Sequence, residues 1–260
     1  MSLTPIDTAL EQLMPLLPLI TGQESVLLEQ AAGRVLAGDC VSPIDVPPYR
    51  NSAMDGYALK STDLGSENIQ LKITQRIAAG EVGQQLKSGE AARIFTGAPV
   101  PEGADAVVMQ ENCKANGDVL CVLQQHIKPG ENLRQAGDDI QAGALMMAKG
   151  HRLKPQDIGL LASIGLESVN VTRRLRVSLL TTGDELVQPG TKLEAGQIYN
   201  SNYFTLHALL KGLQVEVLDC GIVADDFEGT RLALVAAAER SDCVITTGGV
   251  SVGEEDHVKA

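Results

Sequence analysis

The sequence predicts a multi-domain chain, with an α+β part that holds a β-rich inserted domain and, after it, a partial α/β domain on a parallel sheet. Three observations carry this. Helical periodicity flanks a long middle segment, near residues 6–36 and again at 155–164. Between those stretches, from 47 to 140, short apolar runs alternate with Gly, Asn and Asp turns. After Arg174, apolar strands alternate with amphipathic helices, which implies right-handed βαβ crossovers. The expected division is a helical segment 1–46, a β-rich insert 47–140, a return to the discontinuous domain at 141–173, and the α/β domain 174–260.

In chain order, Thr4-Pro5-Ile6-Asp7 reads as a helix start, with Thr4 as cap and Pro5 at the first helical position. Ile6, Leu10, Leu13 and Leu17 keep helical spacing up to the Pro15–Pro18 break. A second helix is expected from Ser25 to Leu36. The segment Ser42-Pro43-Ile44-Asp45-Val46-Pro47-Pro48 is too rich in proline for helix or central strand and reads as an extended linker. The strands of the insert are expected at 71–77, 92–95, 106–109 and 119–123, with Asn116-Gly117 as a hairpin turn. Together they suggest a small barrel or sandwich.

Helical spacing returns at Pro155–Ile164. Strands follow at 175–180, 215–218 and 243–246, with helices at 202–211, closed by Gly212, and at 226–239. The pattern stops soon after the third strand, so the sequence is expected to be a truncated product.

Composition narrows the partners. The net charge is −12, which argues against a nucleic-acid or anionic-membrane surface. Five cysteines, an odd number without CxxC spacing, point to reduced thiols and away from a thiolate zinc site. The N-terminus has no basic region before its apolar run, so the expectation is a cytoplasmic protein without a membrane span.

The strands of a parallel sheet place their C-terminal loops along one edge, where ligands bind. Three such loops carry glycines and carboxylates: Thr181-Thr182-Gly183-Asp184-Glu185, Gly221 to Asp226, and Thr246-Thr247-Gly248-Gly249-Val250-Ser251-Val252-Gly253-Glu254-Glu255-Asp256. Glycine lets backbone approach a ligand, hydroxyls and amides receive phosphate oxygens, and carboxylates need a hard cation between them and a phosphate. The plainer alternative is capping: Asp225 or Asp226 suits a helix N-cap, and Asp184-Glu185 the first turn of a short helix. Asp55-Gly56, within Asn51-Ser52-Ala53-Met54-Asp55-Gly56-Tyr57-Ala58, likewise reads either as a site or as a tight turn. Thr96-Gly97-Ala98-Pro99-Val100-Pro101 is a rigid turn that also holds a hydroxyl, and Gly137-Asp138-Asp139-Ile140 is a further acidic turn.

Taken in order, the segments 51–58, 96–101, Thr182-Gly183-Asp184-Glu185-Leu186 and Gly248-Gly249-Val250-Ser251-Val252-Gly253 resemble the MoeA family of molybdopterin molybdenumtransferases, related to the E domain of gephyrin. The resemblance runs from near residue 5 to the end. It implies a molybdenum-cofactor-binding type of α/β domain and a magnesium-dependent reaction. In that reaction molybdate is inserted into adenylylated molybdopterin and AMP is released. It implies a homodimer with the active site between chains, and a molybdopterin adenylyltransferase as upstream partner. By the same resemblance Asp55, Thr96, Asp139, Glu185, Asp225 and Asp256 match catalytic positions, with Glu185, Asp225 and Asp256 expected at magnesium. Ser52, Thr182, Gly183, Gly248, Gly249, Ser251 and Gly253 are expected to bind substrate. A non-catalytic scaffold and an adenylyltransferase-type nucleotide-binding protein are the competing readings.

Overall fold

The computed structural model describes residues 4–65, 69–124, 126–249 and 257–258. The chain folds as two compact units, one of residues 26–169 and one of residues 1–25 with 170–260.

Helix α1 spans Ile6–Leu13 and runs into a 3₁₀ turn at Met14–Leu16 that contains Pro15. Pro5, not Thr4, holds the N-cap position, and no side chain caps the helix. None of its residues is buried; Ile6 is 78% exposed and Leu10 49%.

The larger unit is built on a six-stranded mixed sheet. Its strands are β1 (Gly56–Leu59), β2 (Gln70–Ile77), β3 (Glu90–Ile94), β4 (Ala106–Met109), β5 (Cys113–Asn116) and β6 (Val119–Val122), in the order β4-β1-β3-β2-β6-β5. The β2–β3 pair is parallel and the other pairs are antiparallel. The expected barrel or sandwich is therefore one sheet with a core on each face. Leu59, Ala91, Ala106, Val108 and Leu120 pack on one side. Ala58, Ala92, Ile94, Val107 and Ile77 pack on the other. Burial on both faces explains why Ala106–Met109 reads as a continuous apolar run without alternation.

Strand β2 serves both cores by means of a bulge. Ile73 pairs with Ala91, but Gln75 pairs with Ala92, so one extra residue is inserted and the alternation inverts. Ile73 faces the first core and Ile77, opposite Ile94, the second. The Asn116-Gly117 turn joins β5 to β6, with Gly117 at φ 62°.

The helix expected from Ser25 to Leu36 is absent. Gln23–Leu27 is a strand paired with Ser168–Thr172, and Leu28–Gln30 is a 3₁₀ turn. The backbone beyond bonds to distant chain: Gly33 N–H donates to the Leu153 carbonyl and Leu36 N–H to that of His151. The proline-rich segment 42–48 is neither helix nor central strand, as expected, but it bends inside the larger unit and Val46 bridges to Ile140. Helix α2 covers Pro155–Ser163, with Pro155 in its first turn. The Asp157 carboxylate accepts the Lys154 N–H at 2.8 Å and meets His151 Nε2 at 2.7 Å, which ties down the helix start.

In the smaller unit, β7 (Arg176–Thr182) lies between β8 (Glu216–Val223) and β9 (Cys243–Thr247), parallel to both. Helix α3 (Ser201–Gly212) precedes β8 and α4 (Phe227–Arg240) precedes β9. Every residue of β7 from Val177 to Thr182 is buried. Gly212 stays inside α3; the left-handed residue that ends the turn is Gln214, at φ 60°. Gly221 is not in a loop. It forms a bulge inside β8 at φ 76°, where its N–H reaches Asp219 Oδ1 at 2.8 Å.

The edge below β7 is held by charge. Arg173 donates to both oxygens of Asp242 at 2.6 Å, and the Arg176 N–H adds a third bond at 2.8 Å. The Arg173 side chain first, then that backbone bond, hold the Asp242 carboxyl down to about 2. A depressed carboxylate contributes stability above its ordinary 3.8 and loses it as pH falls through about 2. The pair lies at the surface, so solvent screening leaves it only the modest contribution of a surface ion pair. Asp242→Asn is expected to lower stability modestly at pH 7 and by less at pH 2, as read by urea denaturation at both values.

Candidate active site

At the carboxyl end of β7 the chain must turn sharply. Gly183 does so at φ 146°, and its N–H reaches the Val223 carbonyl at 3.3 Å. The Glu185 carboxylate folds back over it: a Cβ on Gly183 would lie 2.6 Å from Glu185 Oε2. No short helix follows, since Asp184-Glu185 is a turn leading into the strand Leu186–Val187, which pairs with Ile198–Tyr199. The loop after β8 comes to the same edge. Asp184 and Asp225 exchange bonds, each backbone N–H donating to the other's carboxylate, at 3.3 and 3.2 Å. Asp226 does what the capping reading expects, accepting the Gly229 N–H at 2.6 Å at the start of α4.

The loop after β9 packs on Thr182. A Cβ on Gly248, whose φ is 97°, would fall 2.5 Å from the Thr182 carbonyl oxygen and 2.6 Å from its Oγ1; one on Gly249 would fall 3.1 Å from that Oγ1. Thr182 is 6% exposed, and among the described residues its buried hydroxyl has no hydrogen-bond partner. Such a group calls for a ligand or water.

A small cleft, open at its mouth, is lined by Thr182, Glu185, Tyr199, Asn200, Asn202 and Gly248, among others. Ser201 and Asn202, the first residues of α3, also line it, and a helix N-terminus favours an anion. Asn200 caps that helix, accepting from the Tyr203 N–H at 3.3 Å, and donates to Thr181 Oγ1 at 2.9 Å. Asn202 donates to Thr247 Oγ1 at 3.0 Å. The structure thus joins Thr182, Gly183, Glu185, Gly248 and Gly249 around one cleft and brings Asp225 to the same edge through Asp184. Ser251, Gly253 and Asp256 lie outside the described residues. Sequence reasoning missed Asn200 and Asn202, while Thr247 lay within the third loop it singled out. Asn200 had a local signal, an Asn directly before a helical run; its bond to Thr181 is tertiary and had none.

The larger unit carries a second constellation. Asp55 Oδ1 accepts from both the Thr96 N–H and the Thr96 hydroxyl, each at 2.8 Å. These two bonds, the backbone one first, hold the exposed Asp55 carboxyl below its ordinary value, and the Arg93 charge adds to them. Gly56 is obligatory beside it, because a Cβ there would lie 2.0 Å from the Val108 carbonyl oxygen. Ser52 is buried, with its hydroxyl engaged inside the turn by the Met54 carbonyl at 2.6 Å. Asp139 is ion-paired with Arg134, and Arg134 lies opposite Asn51 in a short antiparallel pair. Among the described residues the buried Asn51 Oδ1 has no partner.

Among the described residues, no cluster of three or more His, Cys, Asp or Glu is placed to hold a metal ion. The donors at the cleft edge, the carboxylates of Glu185, Asp184 and Asp225 and the partnerless Thr182 hydroxyl, are all hard oxygens. Donors of this type are the ones magnesium takes and a soft metal does not, although among the described residues they are not gathered into a metal-holding cluster. No helix among the described residues is long and apolar enough to cross a membrane.

Comparison with known proteins decides the lineage. The family described as the MoeA N-terminal region (domain I and II) matches residues 4–165, and a probable molybdopterin binding domain matches residues 178–260. The chain belongs to the MoeA family. It is 43% identical to the molybdopterin molybdenumtransferase of Haemophilus influenzae over 256 residues, 98% of this chain and 63% of that protein. It is 37% identical to that of Bacillus subtilis over 245 residues, 91% and 57% of the two chains. The crystal structure of a molybdopterin biosynthesis MoeA protein from Pyrococcus horikoshii superposes with a TM-score of 0.83 at 33% identity, over 95% of this chain and 67% of that one. The chain therefore spans about three-fifths of the curated relatives it matches.

Gly248→Ala is expected to push the third loop off Thr182, because a methyl group cannot share space with a carbonyl oxygen and left-handed backbone disfavours alanine. The check is a lower thermal midpoint together with loss of ligand protection at Thr182, read by hydrogen exchange.

Proposed function

We propose that this chain acts in molybdenum cofactor biosynthesis as a molybdopterin molybdenumtransferase, inserting molybdate into adenylylated molybdopterin with release of AMP. The observation that carries the reading is the cleft at the end of β7, with its buried partnerless Thr182 hydroxyl, Glu185 and the N-terminus of α3. Membership of the family supports it.

The residues suit an anionic nucleotide-like ligand. Backbone at Gly248 and Gly249 can approach a phosphate closely, and the amides opening α3 meet its charge. Glu185 and Asp225, with Asp256, would hold magnesium, which neutralises phosphate charge and makes the phosphoanhydride a better electrophile. Asp55, kept ionised and oriented by Thr96, provides a fixed carboxylate on the larger unit. The same reading makes the protein cytoplasmic, supplied with substrate by a molybdopterin adenylyltransferase. It makes the working form a homodimer with the active site between chains. The exposed apolar residues Ile6, Leu10 and Leu13 of α1, with Leu17 just beyond the 3₁₀ turn, support such an association.

The direct experiment supplies the full-length gene product with adenylylated molybdopterin, molybdate and magnesium. Molybdenum insertion with AMP release is expected, and its absence sinks the reading. Asp55→Asn should cut turnover by about 10²–10⁴-fold. Because the carboxylate is exposed, the thermal midpoint should move by no more than about 2 °C. A drop of many degrees would make Asp55 a turn residue instead. Glu185→Gln should weaken the magnesium dependence of ligand binding by at least about tenfold. Equal dependence in parent and variant would remove Glu185 from the metal site.

A further inference from the structure

Arg93 lies on β3 opposite Tyr57 of β1 and opposite Arg76 of β2. Its guanidinium holds neutral groups with both arms. Nη1 donates to the Gly56 carbonyl at 2.8 Å and to that of Ile94 at 3.3 Å, and Nη2 donates to Gln110 Oε1 at 2.6 Å. It stacks on two rings, 4.5 Å from the centroid of Phe95 and 5.2 Å from that of Tyr57. Arg76 also sits over Phe95, at 4.5 Å. Among the described residues Arg93 makes no ion pair within 4.0 Å.

These partners have one thing in common. Gly56 follows Asp55, Phe95 precedes Thr96, and the Gln110 N–H donates to the Asp55 carbonyl at 3.0 Å. One guanidinium therefore grips the chain on both sides of the Asp55–Thr96 hydrogen bonds. We propose that Arg93 is a positioning residue, which locks the loops carrying Asp55 and Thr96 in the register that keeps this pair formed. The proposal rests on the reading of Asp55 and Thr96 as working parts of the transferase. Arg93 acts on them through backbone, amide and ring contacts and does not itself reach the reacting atoms. The planar fork matters more than the charge, because a lysine can neither bridge Gly56 and Gln110 in one plane nor stack on two rings.

The test uses this chain, with the Asp55 carboxyl titrated by NMR and the Thr96 amide followed by hydrogen exchange. Asp55, Tyr57, Arg76 and Cys113 are the described ionisable groups set around Arg93, so all are monitored. In Arg93→Gln and in Arg93→Lys, Asp55 is expected to titrate at higher pH, and the Thr96 amide to exchange about tenfold faster. Gln110→Ala, which removes one partner only, should shift both readouts in the same direction by less. If Arg93→Gln does not fold, Gln110→Ala carries the test alone. Parent-like titration and exchange in a folded variant would overturn the proposal, as would full rescue by lysine, which would leave only a charge effect. Binding of adenylylated molybdopterin to the parent chain is measured separately. Its absence would refute the functional reading and leave the Arg93 result standing.

Discussion

The smaller unit depends on the complete burial of β7. A strand flanked by parallel neighbours and covered on its faces cannot shift register without exposing apolar side chains, so its last residue is fixed in space. That residue is Thr182, and the partnerless hydroxyl, the Gly183 turn, the returning Glu185 carboxylate and the seat of Gly248 are all set by its position. A buried polar atom without a partner is costly in a core and useful at a binding edge. Here it lies where three loops converge.

The larger unit solves a related problem differently. Asp55 is exposed, so burial cannot orient it. Orientation comes from a short hydrogen-bond network, with Thr96 on the carboxylate and Arg93 and Gln110 on the surrounding chain. Gly56 permits the close approach of β4 that makes the network possible. Thr182 is thus ordered from below by packing and Asp55 from the side by polar contacts.

Much of this was legible in the sequence wherever the signal was local. The Asn116-Gly117 turn, Pro155 opening α2 and the alternating strands and helices after Arg174 are each dictated by neighbours in the chain. The segment 25–36 was misread because its backbone partners lie about 120 residues away, on Leu153 and His151, and no local periodicity encodes them. Gly212 looked like a helix terminator, but Gln214 takes the left-handed conformation. The glycines and acids of the cleft were visible as a pattern. Asn200, Asn202 and Arg93 were not, because each owes its part to a contact made only after folding.

The bulge in β2 has a consequence for the surface as well as for the cores. With a regular pleat, Ile77 would share the face of Ile73, and Arg76 would point at Ile94 and Ala92. The one inserted residue exchanges them. It sends an isoleucine inward and frees a guanidinium to lie on the Phe95 ring, one residue from Thr96. The parity of a single strand therefore decides whether that arginine is a core defect or an exposed cover for Phe95, and a change in strand length at residues 73–75 would act on both at once.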